Sequence, residues 1–112
     1  MSERLFSMTK DLTQDIVRRI VETVQPEKII LFGSRARGDA RPDSDFDVLV
    51  INKSHEPGYR RDAALYLALV GLNAPVGVMM YTPEEVRDWS AVPQAFVTTA
   101  VREGKVVYER KG

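Results

Sequence analysis

Near the start of the chain, apolar residues recur every three or four positions, which is the spacing of one face of a helix. These residues are Leu12, Ile16, Val17, Ile20, Val21 and Val24. The pattern predicts an amphipathic helix over residues 10–25. We expect the helix to stop at Pro26, because a proline ring cannot continue the backbone hydrogen-bond ladder.

Short apolar runs bounded by proline, glycine or polar residues predict the strands of a sheet. The runs are residues 28–32 (KIILF), 45–51 (DFDVLVI), 75–81 (PVGVMMY) and 105–109 (KVVYE). The polar segment 52–58 (NKSHEPG) follows the second of these runs and is predicted to be a loop.

Further helices are predicted between the later strands. Residues 59–72 are rich in alanine and leucine and predict a helix that closes near Gly71. A last helix is predicted over about residues 93–103, with Gly104 as its C-cap.

Another helix start is predicted from its capping residues. Thr82 is a favourable N-cap, Pro83 suits the first helical position, and Glu85 can complete a reciprocal capping box. We expect this helix to reach about Trp89.

The predicted order of elements is helix, strand, strand, helix, strand, helix, helix, strand. Because helices and strands alternate without a strict βαβ period, we expect a small mixed β-sheet with helices packed mainly on one side, an α/β or α+β fold. A chain of 112 residues is long enough for one hydrophobic core. We therefore expect a single domain over residues 1–112.

Composition narrows the kinds of function to consider. The 16 basic residues balance 16 acidic ones, which argues against broad electrostatic binding to nucleic acid or to an anionic membrane. The absence of cysteine excludes disulfides and thiolate metal sites. The N-terminal residues carry charges without a long apolar run, so no secretory signal is predicted, and no apolar run is long enough to span a bilayer. A cytoplasmic protein is the default expectation.

Residues 29–50 (IILFGSRARGDARPDSDFDVLV) carry candidate chemistry. Side chains two residues apart on a strand point to the same face, so Asp45 and Asp47 should project together while Phe46 points into the core. Two ionised carboxylates this close repel each other. A divalent cation removes that conflict, and Mg²⁺ commonly takes one or two carboxylates together with substrate phosphates.

The first half of the same stretch is suited to anion binding. Gly33 permits a close approach of backbone to ligand. Ser34 is a favourable N-cap, so a helix beginning at residues 34–37 (SRAR) would present free N–H groups to a phosphate. Arg35 and Arg37 could offset phosphate charge. A metal–nucleoside triphosphate is the ligand that suits both halves.

The Gly-Ser pair, ten intervening residues and Asp-Phe-Asp closely resemble the motif of the nucleotidyltransferase fold of the polymerase β superfamily. With the ending REGKVVYER, the chain is similar over about residues 24–110 to the minimal nucleotidyltransferases, or MNT proteins. The resemblance implies transfer of a nucleotidyl group such as AMP from ATP or another NTP to a hydroxyl acceptor with Mg²⁺. It assigns the triphosphate to Gly33 and Ser34, and the metal and catalysis to Asp45 and Asp47. Many MNT proteins are antitoxins paired with a HEPN-domain toxin, so a HEPN partner is implied.

One position departs from the superfamily pattern. That pattern has a third carboxylate on a neighbouring strand, where this chain has Gly77, and no Asp or Glu lies between Asp62 and Glu84. Glu84 and Glu85 suit the first turn of the following helix, where acids favour the dipole, better than a catalytic role. Gly77 can mark a bulge or a close backbone contact, or it can mark a lost ligand, and both interpretations stay open.

Two main hypotheses therefore remain. The chain is either an active minimal nucleotidyltransferase, or a catalytically impaired nucleotide-binding module that neutralises a partner by direct binding. A nucleic-acid polymerase or RNA-tailing enzyme is a weaker third hypothesis, because the neutral charge and the lack of a basic, aromatic surface pattern speak against it. The remaining polar candidates, Lys53, His55, Arg60 and Arg61, are expected to be solvated.

Overall fold

The computed structural model describes residues 2–41 and 44–111, with the backbone alone for residues 2–11. Within these ranges, helices and strands follow each other in nearly the predicted order. The helices are α1 (Ser2–Val24), α2 (Ser34–Arg37), α3 (Gly58–Ala68), α4 (Pro83–Trp89) and α5 (Phe96–Glu103). The strands are β1 (Lys28–Phe32), β2 (Phe46–Ile51), β3 (Val76–Tyr81) and β4 (Lys105–Glu109).

Two helix starts differ from the prediction. α1 begins at Ser2 rather than near residue 10, because no glycine or proline interrupts the chain before Pro26. α5 begins at Phe96 rather than near residue 93, because the preceding residues form a turn in which the Ala95 N–H donates to the Val92 carbonyl at 3.1 Å. Among the described residues, no helix has both the length and the apolar character needed to cross a bilayer.

The strands form one mixed sheet in the order β3-β2-β1-β4. β1 pairs antiparallel with both β2 and β4, whereas β2 and β3 run parallel. In this register Asp47 lies directly between Phe32 of β1 and Gly77 of β3. These three residues form a row across the sheet, at the end where β1 finishes and where β2 and β3 begin. The two parts of the sequence motif therefore come together at one end of the sheet.

Helices cover both faces of the sheet to different extents. α1 and α3 cover one face and build the larger core, to which they contribute Ile16, Ile20 and Leu65. α5 covers the other face with Val97 and Ala100, with Val86 of α4 packed against it. The fold is therefore the predicted mixed α/β arrangement, with the two longer of these packed helices on one side.

The end of β3 is held by side chains of two helices. The Arg61 guanidinium donates to Glu85 Oε1 at 2.8 Å and to the Met80 carbonyl at 3.3 Å, and Asp62 accepts from the Met80 N–H at 3.2 Å. Since Met80 lies on the edge strand β3, these bonds satisfy backbone groups that an edge would otherwise leave to water. Arg61, expected to be solvated, has a side chain that is only 11% exposed.

The capping box at the start of α4 is confirmed. The Glu85 N–H donates to the Thr82 hydroxyl at 3.1 Å, and the Thr82 N–H donates to the Glu85 carboxylate at 2.8 Å. The hydrogen bond from Arg61, together with these contacts, lowers the pKa of Glu85. Glu85 thus has a structural role, as the sequence indicated.

Gly104 marks a close crossing between helix and sheet. A Cβ atom at this position would lie 2.4 Å from both the Ala100 carbonyl oxygen and Ile30 Cγ2, and 3.0 Å from the Leu31 carbonyl oxygen. Gly104 is the C-cap of α5, as predicted, and its backbone φ of −79° shows that it is needed for space rather than for a left-handed turn.

Candidate functional site

Asp47 lies at the centre of the candidate site, on the second residue of β2. The preceding Phe46 points into the larger core and is 1% exposed, so strand alternation turns Asp47 to the opposite face. A Cβ atom at Gly33 would lie 2.6 Å from Asp47 Oδ2, and one at Gly77 would lie 3.4 Å from Oδ1. The carboxylate therefore lies between two glycine backbones, in space that side chains at those positions would fill.

The electrostatic environment of Asp47 is unfavourable to its ionised form. Burial and, to a smaller extent, the charge of Asp45 raise the pKa of Asp47. Asp45 is exposed and directly precedes β2. Within the described ranges, neither carboxylate makes a side-chain hydrogen bond or an ion pair. Two neighbouring carboxylates without a basic partner are typical ligands of a cation site in its metal-free state.

Gly33 forms the turn that brings the Gly-Ser pair to Asp47. Its φ of +75° is in the left-handed region, and its carbonyl accepts from the N–H groups of Ala36 and Arg37 at 3.1 Å each. Gly33 is therefore the N-cap of α2, and Ser34 is its first helical residue. The expectation that Ser34 itself is the N-cap is wrong, because the glycine takes the strained position between strand and helix.

The two arginines of α2 have different surroundings. Arg37 is exposed, its Nε donates to Asp39 Oδ2 at 3.3 Å, and it borders a small cavity with Phe32, Gly33 and Phe96 on the Asp47 side of the sheet. The Arg35 guanidinium is stacked on Phe46 and borders the groove between α1 and β4. The structure thus brings Gly33, Asp45 and Asp47 together with Arg37 nearby, and turns Arg35 to the other side.

The donor set fits a hard divalent cation that also carries phosphates. Asp45 and Asp47 offer carboxylate oxygens, and the lack of a side chain at Gly33 lets the Asp47 carboxylate lie close to the turn into α2. Within the described part of the chain, no group of three or more His, Cys, Asp or Glu residues is placed to hold a metal. The protein supplies two carboxylates here, and water or substrate oxygens would complete the coordination.

Comparison with known proteins identifies the family of this chain. A family model described as a nucleotidyltransferase domain matches residues 14–104, which include both glycines and both aspartates of the site. The chain belongs to this nucleotidyltransferase domain family. No protein with a curated description matches its sequence significantly.

Solved structures share the fold of this nucleotidyltransferase domain. One is a protein of Sulfolobus solfataricus described as a candidate nucleotidyltransferase, with a TM-score of 0.65, 21% identity, and coverage of 89% of this chain and 79% of that one. Another is described as a toxin–antitoxin with AMP-PNP, with a TM-score of 0.63, 20% identity, and coverage of 88% and 73% respectively. At these identities the similarity establishes the fold.

Gly77 occupies the position at which the resemblance led us to expect a third acid. It is the direct parallel-strand neighbour of Asp47, and a Cβ built on it would lie at van der Waals distance from Oδ1 of that carboxylate. Gly77 forms a regular pair in the β2–β3 register, so it does not mark a bulge. A side chain at position 77 would share the face, and the immediate surroundings, of Asp47.

Sequence reasoning did not single out the aromatic pair beside the site. Phe32 and Phe96 meet edge to face with ring centroids 5.2 Å apart, although 48% of Phe96 remains exposed. Local pattern could not reveal this pair, because it joins β1 to a helix far along the chain. The sequence shows only that one aromatic residue ends β1 and another begins α5.

Proposed function

We propose that this chain binds a magnesium–nucleoside triphosphate at the Asp47 edge of the sheet and transfers a nucleotidyl group, such as AMP, to a hydroxyl acceptor. The observation that carries the proposal is the closeness of Asp47 to Gly33, where a Cβ atom would lie 2.6 Å from Oδ2, with the charge of Asp45 beside it. An anion-binding turn and a cation-binding pair at this distance suit one ligand that contains both charges.

Each residue of the site has a distinct role in this proposal. Asp45 and Asp47 would hold the cation, which when bound neutralises phosphate charge in the displacement. Gly33 and Ser34 would hold the triphosphate through the turn into α2, and Arg37 would offset its charge. The acceptor hydroxyl gives its proton to solvent water and its oxygen forms a bond to the α-phosphorus, while the bond to the departing pyrophosphate breaks. The protein contributes mainly by positioning the reactants and by its fixed charges.

The acceptor would be supplied by a protein partner. Family membership supports the transferase chemistry, and the structure described as a toxin–antitoxin with AMP-PNP supports an antitoxin role for a chain of this fold. A HEPN-domain toxin is the expected partner, and it would supply the acceptor hydroxyl. The cytoplasm, which supplies both magnesium and nucleoside triphosphates, is the expected location.

Labelled nucleotide tests this function directly. The chain, co-purified with its partner, is incubated with Mg²⁺ and ATP labelled at the α-phosphate, and label on the partner is measured. We expect transfer that Asp45→Asn abolishes and that chelation of the metal stops. Glu84→Gln, which removes an exposed acid away from the site, is the matched control and should still transfer. Label that persists in Asp45→Asn would contradict the assignment.

A second candidate function follows from Gly77. Because no carboxylate is present beside Asp47 on β3, the site has no evident protein base or third ligand at that position. The chain would then bind the nucleotide without efficient turnover and would neutralise its partner by occlusion. Tight pairing without transfer of label, in the same experiment, would favour this function over the first.

A further inference from the structure

Arg35 contacts the residues on both sides of Asp45. One of its terminal nitrogens donates to the Ser44 carbonyl at 2.9 Å, and its guanidinium carbon lies 4.3 Å from the centroid of the Phe46 ring. Ser44 directly precedes Asp45 and Phe46 directly follows it. A single planar side chain from the helix that follows Gly33 therefore holds the backbone on which Asp45 sits.

The position of the guanidinium separates it from the candidate triphosphate site. Phe46 packs into the larger core, and Asp47 points to the opposite face of the sheet. Because Arg35 stacks on Phe46, its charge lies on the core side, where the side chain borders a groove with Val17, Leu31 and Val107. A phosphate held at the Gly33–Ser34 turn, on the Asp47 face of the sheet, would be on the other side.

We infer that Arg35 is a positioning residue that fixes Asp45 relative to the Gly33–Ser34 turn, and that it is not a phosphate ligand. This inference rests on the proposed function, because it takes Asp45 and Asp47 as the cation ligands. It replaces the sequence expectation for Arg35 and leaves Arg37 as the arginine of α2 on the ligand side.

The chemistry of the side chain explains why arginine suits this position. A guanidinium can stack its flat face on an aromatic ring while its edge donates to a carbonyl, whereas the ammonium of lysine is a compact charge that cannot do both in this geometry. Arg35→Lys therefore keeps the charge but cannot make both the hydrogen bond to Ser44 and the stacking contact with Phe46. A phosphate ligand would behave differently, because lysine retains much of the attraction to phosphate.

Binding of Mn²⁺ to the chain without nucleotide separates these roles. Wild type, Arg35→Lys, Asp47→Asn and the exposed control Arg60→Lys are titrated with Mn²⁺ and followed by electron paramagnetic resonance, with binding normalised to folded protein. We expect Arg35→Lys to weaken Mn²⁺ binding about tenfold, the size of effect seen when groups that orient metal ligands are changed. The control should bind as wild type does.

The outcomes distinguish this inference from the proposed function. Unchanged Mn²⁺ affinity in Arg35→Lys, with binding lost in Asp47→Asn, would overturn the positioning role and leave the metal site in place. Absence of Mn²⁺ binding to the wild-type chain, or its survival in Asp47→Asn, would overturn both.

A turnover measurement gives a second readout that a role in folding alone would not affect. In Arg35→Lys the Mg²⁺ concentration for half-maximal transfer should rise, while the rate at saturating Mg²⁺ and the KM for ATP should stay close to wild type. A raised KM for ATP at saturating Mg²⁺, with an unchanged Mg²⁺ requirement, would instead identify a phosphate ligand.

Nuclear magnetic resonance of the unchanged chain avoids any effect of the substitution on folding. On addition of ATP without metal, the side-chain Nε–H signal of Arg37 should shift and that of Arg35 should stay nearly constant. A shift of Arg35 as large as that of Arg37 would overturn the inference.

Discussion

Two half-buried carboxylates at opposite ends of the same sheet have opposite surroundings. At the end of β3, Glu85 accepts from Arg61 and from the Thr82 backbone, and its pKa is lowered. At the start of β2, Asp47 has Asp45 as its charged neighbour, and burial together with that neighbour raises its pKa. The fold satisfies one acid completely and leaves the other without a partner in the described residues.

This difference separates acids that stabilise the fold from acids kept for a ligand. Glu85 joins α3 to α4 and fixes the end of an edge strand, so its charge contributes to folding. Asp47 costs stability while it is ionised, and an acid retained under such conditions is a candidate for chemistry.

The largest effect is expected on activity at the Asp47 end. Asp47→Asn removes a charged cation ligand and should lower the transfer rate at least about a hundredfold. The rate is measured with α-labelled ATP under excess Mg²⁺. Glu85→Gln is the matched control at the other end and should leave the rate per folded molecule unchanged. Equal losses in both variants would mean that the two ends do not differ as described.

The free energy of unfolding should depend on the contacts of Glu85, at the other end of the sheet. Arg61→Met removes the donor to both Glu85 and the Met80 carbonyl and should lower the free energy of unfolding by about 2 kcal/mol. Arg60→Met, at an exposed neighbouring position with a surface ion pair, should cost less than about 0.5 kcal/mol. Urea unfolding measures both, and similar costs would contradict a special role for Arg61.

The pH dependence of the Glu85 contribution has a definite sign. Because its pKa is lowered in the folded state, the contribution is complete above the ordinary value of 4.5 and is lost as pH falls through the lower folded value. The difference in unfolding free energy between wild type and Glu85→Gln should therefore be constant near neutral pH and shrink in acid. A difference that persists in strong acid would exclude the ion pair as its source.

Gly77→Asp adds a third acid beside Asp47 and tests whether its absence limits the transfer rate. If the missing carboxylate limits catalysis, the rate should rise about tenfold, a modest share of what a positioned acid or base can provide. Gly77→Asn, of the same shape without the charge, should not raise it. We expect Gly77→Asp also to lower the stability of the metal-free chain, since a like charge is placed next to Asp47. An unchanged rate would mean that the third position is not limiting.

The smallest effect is a gain of stability on neutralising Asp47. A raised pKa means that the folded chain holds the proton more tightly than the unfolded chain, so ionisation opposes folding. Asp47→Asn should thus stabilise the metal-free protein slightly at neutral pH. The gain should vanish as pH falls below the ordinary value of 3.8. A loss of stability at neutral pH would show that Asp47 has an unseen structural partner.

Sequence patterns predicted those features that depend on neighbouring residues. The strand alternation around Phe46 and the capping box at Thr82 both follow from spacings of a few residues, and both are present. The family motif contains both Gly33 and Asp47 and therefore predicts that they lie close together, as they do.

Features that depend on distant contacts were not predictable in this way. Arg61 was expected to be solvated, yet it pairs with Glu85, which lies on another helix. The side to which Arg35 turns depends on where Phe46 packs, and local spacing contains no information about that. Gly33 rather than Ser34 is the N-cap of α2 because the glycine takes the left-handed φ at the turn from β1 into α2.

Gly104 has a consequence for genetic screens of this protein. Even a methyl group there would lie 2.4 Å from the Ala100 carbonyl oxygen and from Ile30 Cγ2, where the end of α5 crosses β1. A deep mutational scan would consequently score position 104 as intolerant, much like position 33, where a methyl group would strike the Asp47 carboxylate. A measurement of soluble yield beside activity would tell the two apart, since Gly104 makes room for the packing of the fold and Gly33 makes room for the Asp47 carboxylate.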